Sequence, residues 1–432
     1  MPITSNRYSI QVSLHSLALL KHFVFRQSLV RKNMEPEVGG SGGRQLAVGA
    51  DKCGYTDHDS RSNLFLNIKS NSPTLNPNSI DSSSDSVIQR DSVQATVTMV
   101  KAIRVYEFGG PEVMKWEDVE LDEPKKGEIK VRNKAIGINY LEVYMRKGLV
   151  PRITPPSPFT PGMEAAGVVI AVGPEVTTCK VGDMVAYAGY PVGAYTEEQI
   201  LPADRVVPVP PSLDPVIAAS VLFKGLTALV LVRRCLQTGP EHTILVHAAA
   251  GGVGSLVCQW ANALGATVIG TVSNKVKAVQ AKEDGCHHVI IYKEEKFVDR
   301  VMEITSRKGV DVVYDSVGKD TFEGSVACLK AGGYLVLYGQ ASGSPEHVNL
   351  QMFFDKFLHL EFPSVMFYTQ ARKDLLEASE ELFSNVAKGV LRVRANHKYP
   401  LSQVTQAHLD LEDRKTIGSI VLIPDNQHLP DA

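Results

Sequence analysis

The sequence predicts an α/β enzyme in two parts, an antiparallel β domain followed by a doubly wound parallel-sheet domain of the Rossmann type. Three observations point there. Residues 100–187 break into short β-like runs punctuated by Gly and Pro. From Thr243 onward, apolar strand-like runs alternate with helical segments, the pattern of a parallel sheet covered on both faces. Between the first such strand and the first such helix lies Ala248-Ala249-Ala250-Gly251-Gly252-Val253-Gly254, a tight turn opening a helix.

In the first part, Lys101–Tyr106, Glu128–Ile138, Gly167–Val172 and Met184–Tyr187 read as strands. Gly109-Gly110-Pro111, Pro155-Pro156 and Gly182-Asp183 are turn material between them. Leu213–Cys235 is helical in pattern. In the second part the expected strands are Thr243–His247, Thr267–Thr271, His288–Ile291, Asp311–Asp315 and Tyr334–Tyr338. Helices are expected over Val253–Leu264, Lys275–Glu283, Phe297–Thr305 and Thr321–Leu329. A further helix near Leu375–Leu391 leads to Val421–Ile423, a strand too distant to continue this sheet and expected to return to the first β domain.

The turn carries the chemistry. A strand, a glycine turn and a helix N-terminus leave backbone N–H groups unpaired, with the positive end of the helix dipole facing the same point. Such a site holds a dinucleotide pyrophosphate. The spacing is Gly-Gly-x-Gly rather than Gly-x-Gly-x-x-Gly, so the glycines alone also fit a plain turn; the flanking strand and helix favour the cofactor. An NAD site places Asp or Glu after the second strand to take the ribose hydroxyls. Here that strand ends Ser273-Asn274-Lys275, with Lys277 next and no acid until Glu283. A 2′-phosphate fits and a carboxylate-bound ribose does not, which favours NADPH; Lys275 taken alone also fits an ordinary surface lysine.

Composition narrows the partners. A formal net charge of −2 over 432 residues gives no electrostatic case for nucleic acid or an anionic membrane. No uninterrupted apolar run approaches the roughly 18–20 residues that span a bilayer. Cys53, Cys179, Cys235, Cys258, Cys286 and Cys328 are scattered with no C-x-x-C pair, which fits reduced thiols rather than a zinc or redox cluster. His247 ends a buried strand and His287 and His288 point to opposite faces of a strand edge, so all three read as structural.

Residues 1–98 are a different polymer. Residues 1–33 lack Asp and Glu but carry Arg7, Lys21, Arg26, Arg31 and Lys32 among recurrent serines, the composition of an organelle transit peptide. Glu35–Gln94 is polar, with Gly39-Gly40-Ser41-Gly42-Gly43 and Asp81-Ser82-Ser83-Ser84-Asp85, and reads as a disordered linker. A chloroplast or mitochondrial destination follows. An over-extended translation start fits as well, with Met99 as the initiator of a cytoplasmic protein.

Taken in order, several motifs resemble the quinone oxidoreductase, or ζ-crystallin-like, branch of the medium-chain dehydrogenase/reductase superfamily. They are GGPEVM (Gly109–Met114), KAIGINYLEVYMRKG (Lys134–Gly148), GMEAAGVV (Gly162–Val169), FKGLTA (Phe223–Ala228), HAAAGGVGSLVCQWA (His247–Ala261), VVYDSVGKDTF (Val312–Phe322), YGQASG (Tyr338–Gly343) and GSIVLIP (Gly418–Pro424). The resemblance implies a GroES-like catalytic domain at 99–222, a Rossmann NADP-binding domain at 223–362, a return to the catalytic domain at 363–424 and a tail at 425–432. It implies NADPH as hydride donor and a quinone or similar conjugated carbonyl as acceptor. Carried over by position, Asn139 and Tyr144 would line the cleft beside the nicotinamide, and Lys224 and Thr227 would face the cofactor with Gly251, Gly252, Val253 and Gly254. Ser273, Lys277, Tyr292 and Arg414 match the positions that hold the adenosine 2′-phosphate; Ser316, Gln340 and Ser342 match the rest of the groove.

Zinc-dependent relatives carry Gly-His-Glu and a four-cysteine lobe, whereas this chain has Gly162-Met163-Glu164 and no cysteine cluster, so a metal-free site is expected. The reaction expected is direct hydride transfer to an acceptor that is already electrophilic, with Tyr144 or an ordered water supplying the proton and Asn139 a neutral hydrogen bond. An enone or 2-alkenal double-bond reductase fits the same residues. An RNA-binding or structural, crystallin-like role has no basic tract in the folded part to support it. Two departures from the family pattern bear on the acceptor: Val150 stands where a tyrosine is frequent, and Leu360–Val365 is shorter than the usual Thr-Arg-Pro-Ser run, as a true deletion or a misplaced exon edge would make it. The resemblance also implies a homodimer, with Gly333–Tyr338 as the sheet edge that pairs across the two-fold axis.

Overall fold

A computed structural model describes residues 98–425. The transit peptide and linker expected within residues 1–98, and nearly all of the expected tail, lie outside the described residues.

Three sheets organise the described chain. β1 (Thr98–Val105) and β2 (Met114–Leu121) form an antiparallel pair. The seven-stranded sheet contains β3 (Glu128–Ile138), β4 (Glu164–Val172), β5 (Met184–Ala188), β6 (Glu198–Pro202) and β7 (Val206–Pro208). The six-stranded sheet comprises β8 (Thr243–Val246), β9 (Thr267–Val272), β10 (His288–Ile291), β11 (Val310–Asp315), β12 (Leu329–Leu337) and β13 (His359–Glu361). β14 (His397–Pro400) and β15 (Ile420–Ile423) then rejoin the seven-stranded sheet, β15 lying between β14 and β3.

The six-stranded sheet is parallel throughout, in the order β10-β9-β8-β11-β12-β13. That is the doubly wound order, which reverses direction between β8 and β11 and opens a crevice at the carboxyl ends of those strands. Its short strands are almost wholly apolar because helices cover both faces: Ile244, Leu245 and Val246 of β8 are fully buried. The chain is thus an α/β protein with a mainly antiparallel GroES-like part and a Rossmann part.

The helix Pro215–Val230 joins the two parts. Asp214 caps it, its carboxylate accepting the Val216 N–H at 2.7 Å, and Pro215 fills the first turn where no N–H is needed. It packs on β3, β4 and β5 on one side and on the helix Gly252–Ala263 on the other. With the π-turn Leu231–Cys235 it makes a 21-residue segment long and apolar enough to cross a bilayer. No such segment was expected, because Lys224 interrupts the apolar run. Most of it is buried inside the protein, so its apolarity belongs to a core helix in contact with both lobes.

The structure corrects the sheet edge. Gly333–Tyr338 was expected to end the Rossmann sheet, yet β12 is interior, flanked by β11 and by β13, which pairs with it in parallel through Tyr334–His359, Leu335–Leu360 and Val336–Glu361. Three residues are too few to show a period-2 pattern, so β13 is invisible as a strand in the sequence.

Candidate cofactor and active site

The Gly turn sits at the carboxyl end of β8. Gly251 is the N-cap of the helix Gly252–Ala263, and the first N–H beyond the turn with an intrahelical acceptor is that of Ser255, bonded to Gly251 O at 2.9 Å. The amides of Gly252, Val253 and Gly254 therefore belong to the unpaired first turn. Space requires one of these glycines, Gly254, and a side chain at Gly252 would press on a lysine. A Cβ on Gly254 would sit 2.3 Å from the Ala248 carbonyl oxygen, and one on Gly252 would meet Lys224 Cδ at 2.9 Å. The backbone is packed closely beneath the turn, which is what a phosphate cradle needs.

The expected cofactor residues follow successive strands. Ser273 comes directly after β9, Tyr292 after β10, Ser316 after β11, and Gln340 and Ser342 in the loop after β12. All lie at the carboxyl ends, where a doubly wound sheet binds its ligand. Ser342 Oγ bridges Val317 O at 2.7 Å and the Asp320 N–H at 3.0 Å, so this side chain shapes the crevice wall.

At the far end, Lys277 Nζ donates to the Arg414 carbonyl at 2.7 Å, the Arg414 guanidinium meets the Tyr292 hydroxyl, and Asp320 lies 3.6 Å from it. Lys275, two residues before Lys277, is exposed. Burial, with the nearby charges of Arg414 and Lys293, pulls the Lys277 ammonium below its usual range. Cations crowded in this way could hold a dianion.

The other end of the crevice is built on the helix Tyr140–Arg146. Asn139 caps it directly after β3, and Glu142 reaches back to the Asn139 N–H at 2.6 Å. Tyr144 Oη accepts the Gln340 N–H at 2.7 Å, and Tyr140 Oη donates to Ala341 O at 3.2 Å, tying this helix to the loop after β12. Burial pushes the Tyr144 phenol well above its ordinary range, so it stays protonated at any working pH. Asn139 is buried, and its Nδ2 donates to Glu164 Oε2 at 3.1 Å, so one of its two N–H groups is already committed. Lys224 Nζ meets the same Glu164 oxygen at 2.9 Å. Thr227, half-buried, turns its hydroxyl back to the Phe223 carbonyl at 2.8 Å.

Sequence reasoning missed four participants: Tyr140, Glu142, Glu164 and Ser419. Glu164 had a signal, being an acid opening an otherwise apolar strand; the other three had none beyond their motifs. Ser419 joins the site because the Gly418 N–H bonds Ala250 O at 2.9 Å, laying the C-terminal segment against the Gly turn. His247 bridges Thr271 and Ser325 beneath the sheet at 2.9 and 3.0 Å, a structural role.

Comparison with known proteins settles the lineage. The family described as alcohol dehydrogenase GroES-like domain matches residues 125–211, and that described as zinc-binding dehydrogenase matches residues 252–383. The quinone oxidoreductase of Salmonella typhimurium is 46% identical over 330 residues, covering 76% of this chain and 100% of the relative. The chain belongs to the quinone oxidoreductase branch of the medium-chain dehydrogenase/reductase superfamily. The 2-haloacrylate reductase of a Burkholderia species is 42% identical over 331 residues, covering 76% of this chain and 99% of that one. The crystal structure of Escherichia coli quinone oxidoreductase complexed with NADPH superposes with a TM-score of 0.72 at 44% identity, over 75% of this chain and 100% of that one. Membership makes the protein a nicotinamide-dependent oxidoreductase.

The zinc in one family description does not fit this chain. Met163 stands beside Glu164, and the Glu164 carboxylate is spent on Asn139, Lys224 and the Phe223 N–H. Among the described residues no group of three His, Cys, Asp or Glu side chains is placed to hold a metal ion.

Proposed function

We propose that the protein is an NADPH-dependent, zinc-independent quinone oxidoreductase. The observation that carries this reading is the alignment of Gly251–Gly254, Ser273, Tyr292, Ser316 and Gln340 at five successive strand ends, with Lys277 and Arg414 gathered at one extremity. Bound NADPH would supply the hydride, and the acceptor, with one proton from solvent, would leave as the hydroquinone.

The chain's own residues bind and orient. The amides of Gly252–Gly254 take the pyrophosphate, and Lys277, Arg414, Tyr292 and Ser273 take the 2′-phosphate. Tyr144, still holding its proton, gives a hydrogen bond to the oxygen on which charge develops. Because burial makes that phenol a weaker acid, it stabilises this oxygen as a donor, and water delivers the proton. Asn139 offers its second N–H to the same region.

A second reading, reduction of a conjugated double bond in an enal or haloacrylate, is favoured by the 2-haloacrylate reductase among the relatives. Steady-state oxidation of NADPH and NADH against quinones and small enals separates the two. Faster turnover of quinones with NADPH supports the first; preference for enals supports the second. Equal rates with NADPH and NADH would overturn the phosphate-site assignment.

The assembly proposed is a homodimer, now through β13 rather than Gly333–Tyr338. Leu350, Phe354, Phe357, Phe362 and Phe367, which flank that edge strand in sequence, are all exposed. For localisation the proposal is organelle import directed by the N-terminal segment, tested by a fluorescent fusion of residues 1–98; cytoplasmic fluorescence would favour initiation at Met99.

A further inference from the structure

The buried carboxylate of Glu164 accepts three donors beside the crevice, and the proposed function assigns it nothing. It opens β4 and is fully buried. Oε1 accepts the Phe223 N–H at 2.7 Å; Oε2 accepts Lys224 Nζ at 2.9 Å and Asn139 Nδ2 at 3.1 Å. Three donors thus converge from the core helix and from the cap of the helix that carries Tyr144. Room for it is made by Gly137 of β3, where a Cβ would lie 2.4 Å from Glu164 Oε2 and 2.2 Å from Ala219 O.

We propose that Glu164 is a positioning residue for hydride transfer, acting through Lys224: it locks the ammonium in one place between the Gly turn and Asn139. The Lys224 stem already packs where a Gly252 Cβ would be, its Cδ and Cε at 2.9 and 3.2 Å from that point, and Ser419 Oγ lies 3.4 Å from the same point. The turn that cradles the pyrophosphate and the residue that caps the catalytic helix are therefore linked by one ion pair. With Glu164 neutral, Lys224 loses its only ion-pair partner among the described residues and is free to swing within the crevice. A group misplaced by about an ångström at such a site can cost about 10²-fold in rate. The pair is buried, so its geometry is not averaged away by solvent.

The inference rests on the proposed function, and the experiment separates the two. Glu164→Gln, Lys224→Met and the double variant are assayed as the full chain for kcat and KM with NADPH and a quinone, with NADPH binding followed by fluorescence. In the wild-type background E164Q is expected to lower kcat by ~10-fold or more while NADPH binding, anchored at the 2′-phosphate site, stays near wild type. In the K224M background the same change is expected to cost less than ~3-fold, because the group it positions is gone. Glu164→Asp, which restores the charge, should recover part of kcat. If E164Q leaves an unpaired ammonium that prevents folding, Glu164→Asp, which keeps the charge on a shorter stem, carries the test: kcat is expected to fall with NADPH binding near wild type, and an unchanged kcat overturns the inference. An equal factor in both backgrounds, or an E164Q enzyme within ~2-fold of wild type, overturns the inference. A wild-type enzyme that reduces no acceptor in the panel overturns the proposed function instead.

Discussion

Glu142 makes the stability of this protein depend on pH in an unusual direction. Its carboxyl is fully buried, and desolvation raises its pKa from 4.5 to about 7, with the Glu164 charge adding to the rise and Lys224 and the Asn139 N–H opposing it. Between those two values the folded state keeps a proton that the unfolded chain releases. Stability therefore falls as pH rises through this window, the opposite of an ordinary paired carboxylate. Integrating from pH 5 to pH 8 gives a loss of about 2–3 kcal/mol from this one group. Glu142→Gln removes the titration while keeping the shape. It also turns an amide N–H toward one of the two backbone donors that Glu142 accepts, Asn139 N–H at 2.6 Å and Met163 N–H at 2.9 Å, a cost present at every pH. The informative quantity is thus the stability of E142Q relative to wild type at the two pH values, from denaturant unfolding with NADPH absent. E142Q is expected to gain about 2–3 kcal/mol on the wild type between pH 5 and pH 8. A relative stability constant to within ~0.5 kcal/mol would show that Glu142 ionises normally in the fold and would refute the reasoning.

Other residues give equally definite expectations. Arg414→Ala should raise KM for NADPH by ~10-fold or more, the value of a charge-assisted phosphate contact, and leave KM for NADH unchanged. Tyr144→Phe removes both the donor in the crevice and the acceptor of the Gln340 N–H, so kcat should fall by ~10-fold with a stability loss of ~1 kcal/mol; unchanged turnover would remove the tyrosine from the chemistry. Gly254→Ala drives a methyl into the Ala248 carbonyl and should abolish NADPH binding, read by fluorescence, even where the protein still folds. Phe354→Asp, at a side chain 69% exposed beside β13, should give a monomer by light scattering where the wild type gives a dimer.

The Rossmann part was legible because its signals are local. Strand runs, a glycine turn and helix periodicity each lie within a dozen residues, and β8 to β11 fall within a residue or two of expectation. The β part was less so. β2, β6, β7 and β14 were not anticipated: β2 is interrupted by charged residues, β7 and β14 are very short, and β6 pairs with the distant β3. The same division runs through the site. Residues placed after strands could be named from position, whereas the buried network of Glu142, Glu164, Lys224 and Asn139 depends on β3, β4 and the core helix converging from separate stretches. A carboxylate in an apolar strand announces that a partner exists, but only the fold shows that the partner is Lys224.

The parallel bridge between Gly251 and Gly418 bears on how the protein is made. Arg414 and Ser419 lie in the segment leading into β15, which must slot between β14 and β3 before Gly418 and Ser419 reach the Gly turn. A growing chain can therefore complete its six-stranded sheet while still lacking half of its phosphate site. With Arg414 holding the nucleotide as proposed, cofactor binding would favour chains whose last strand has seated and would help hold that closing strand in place.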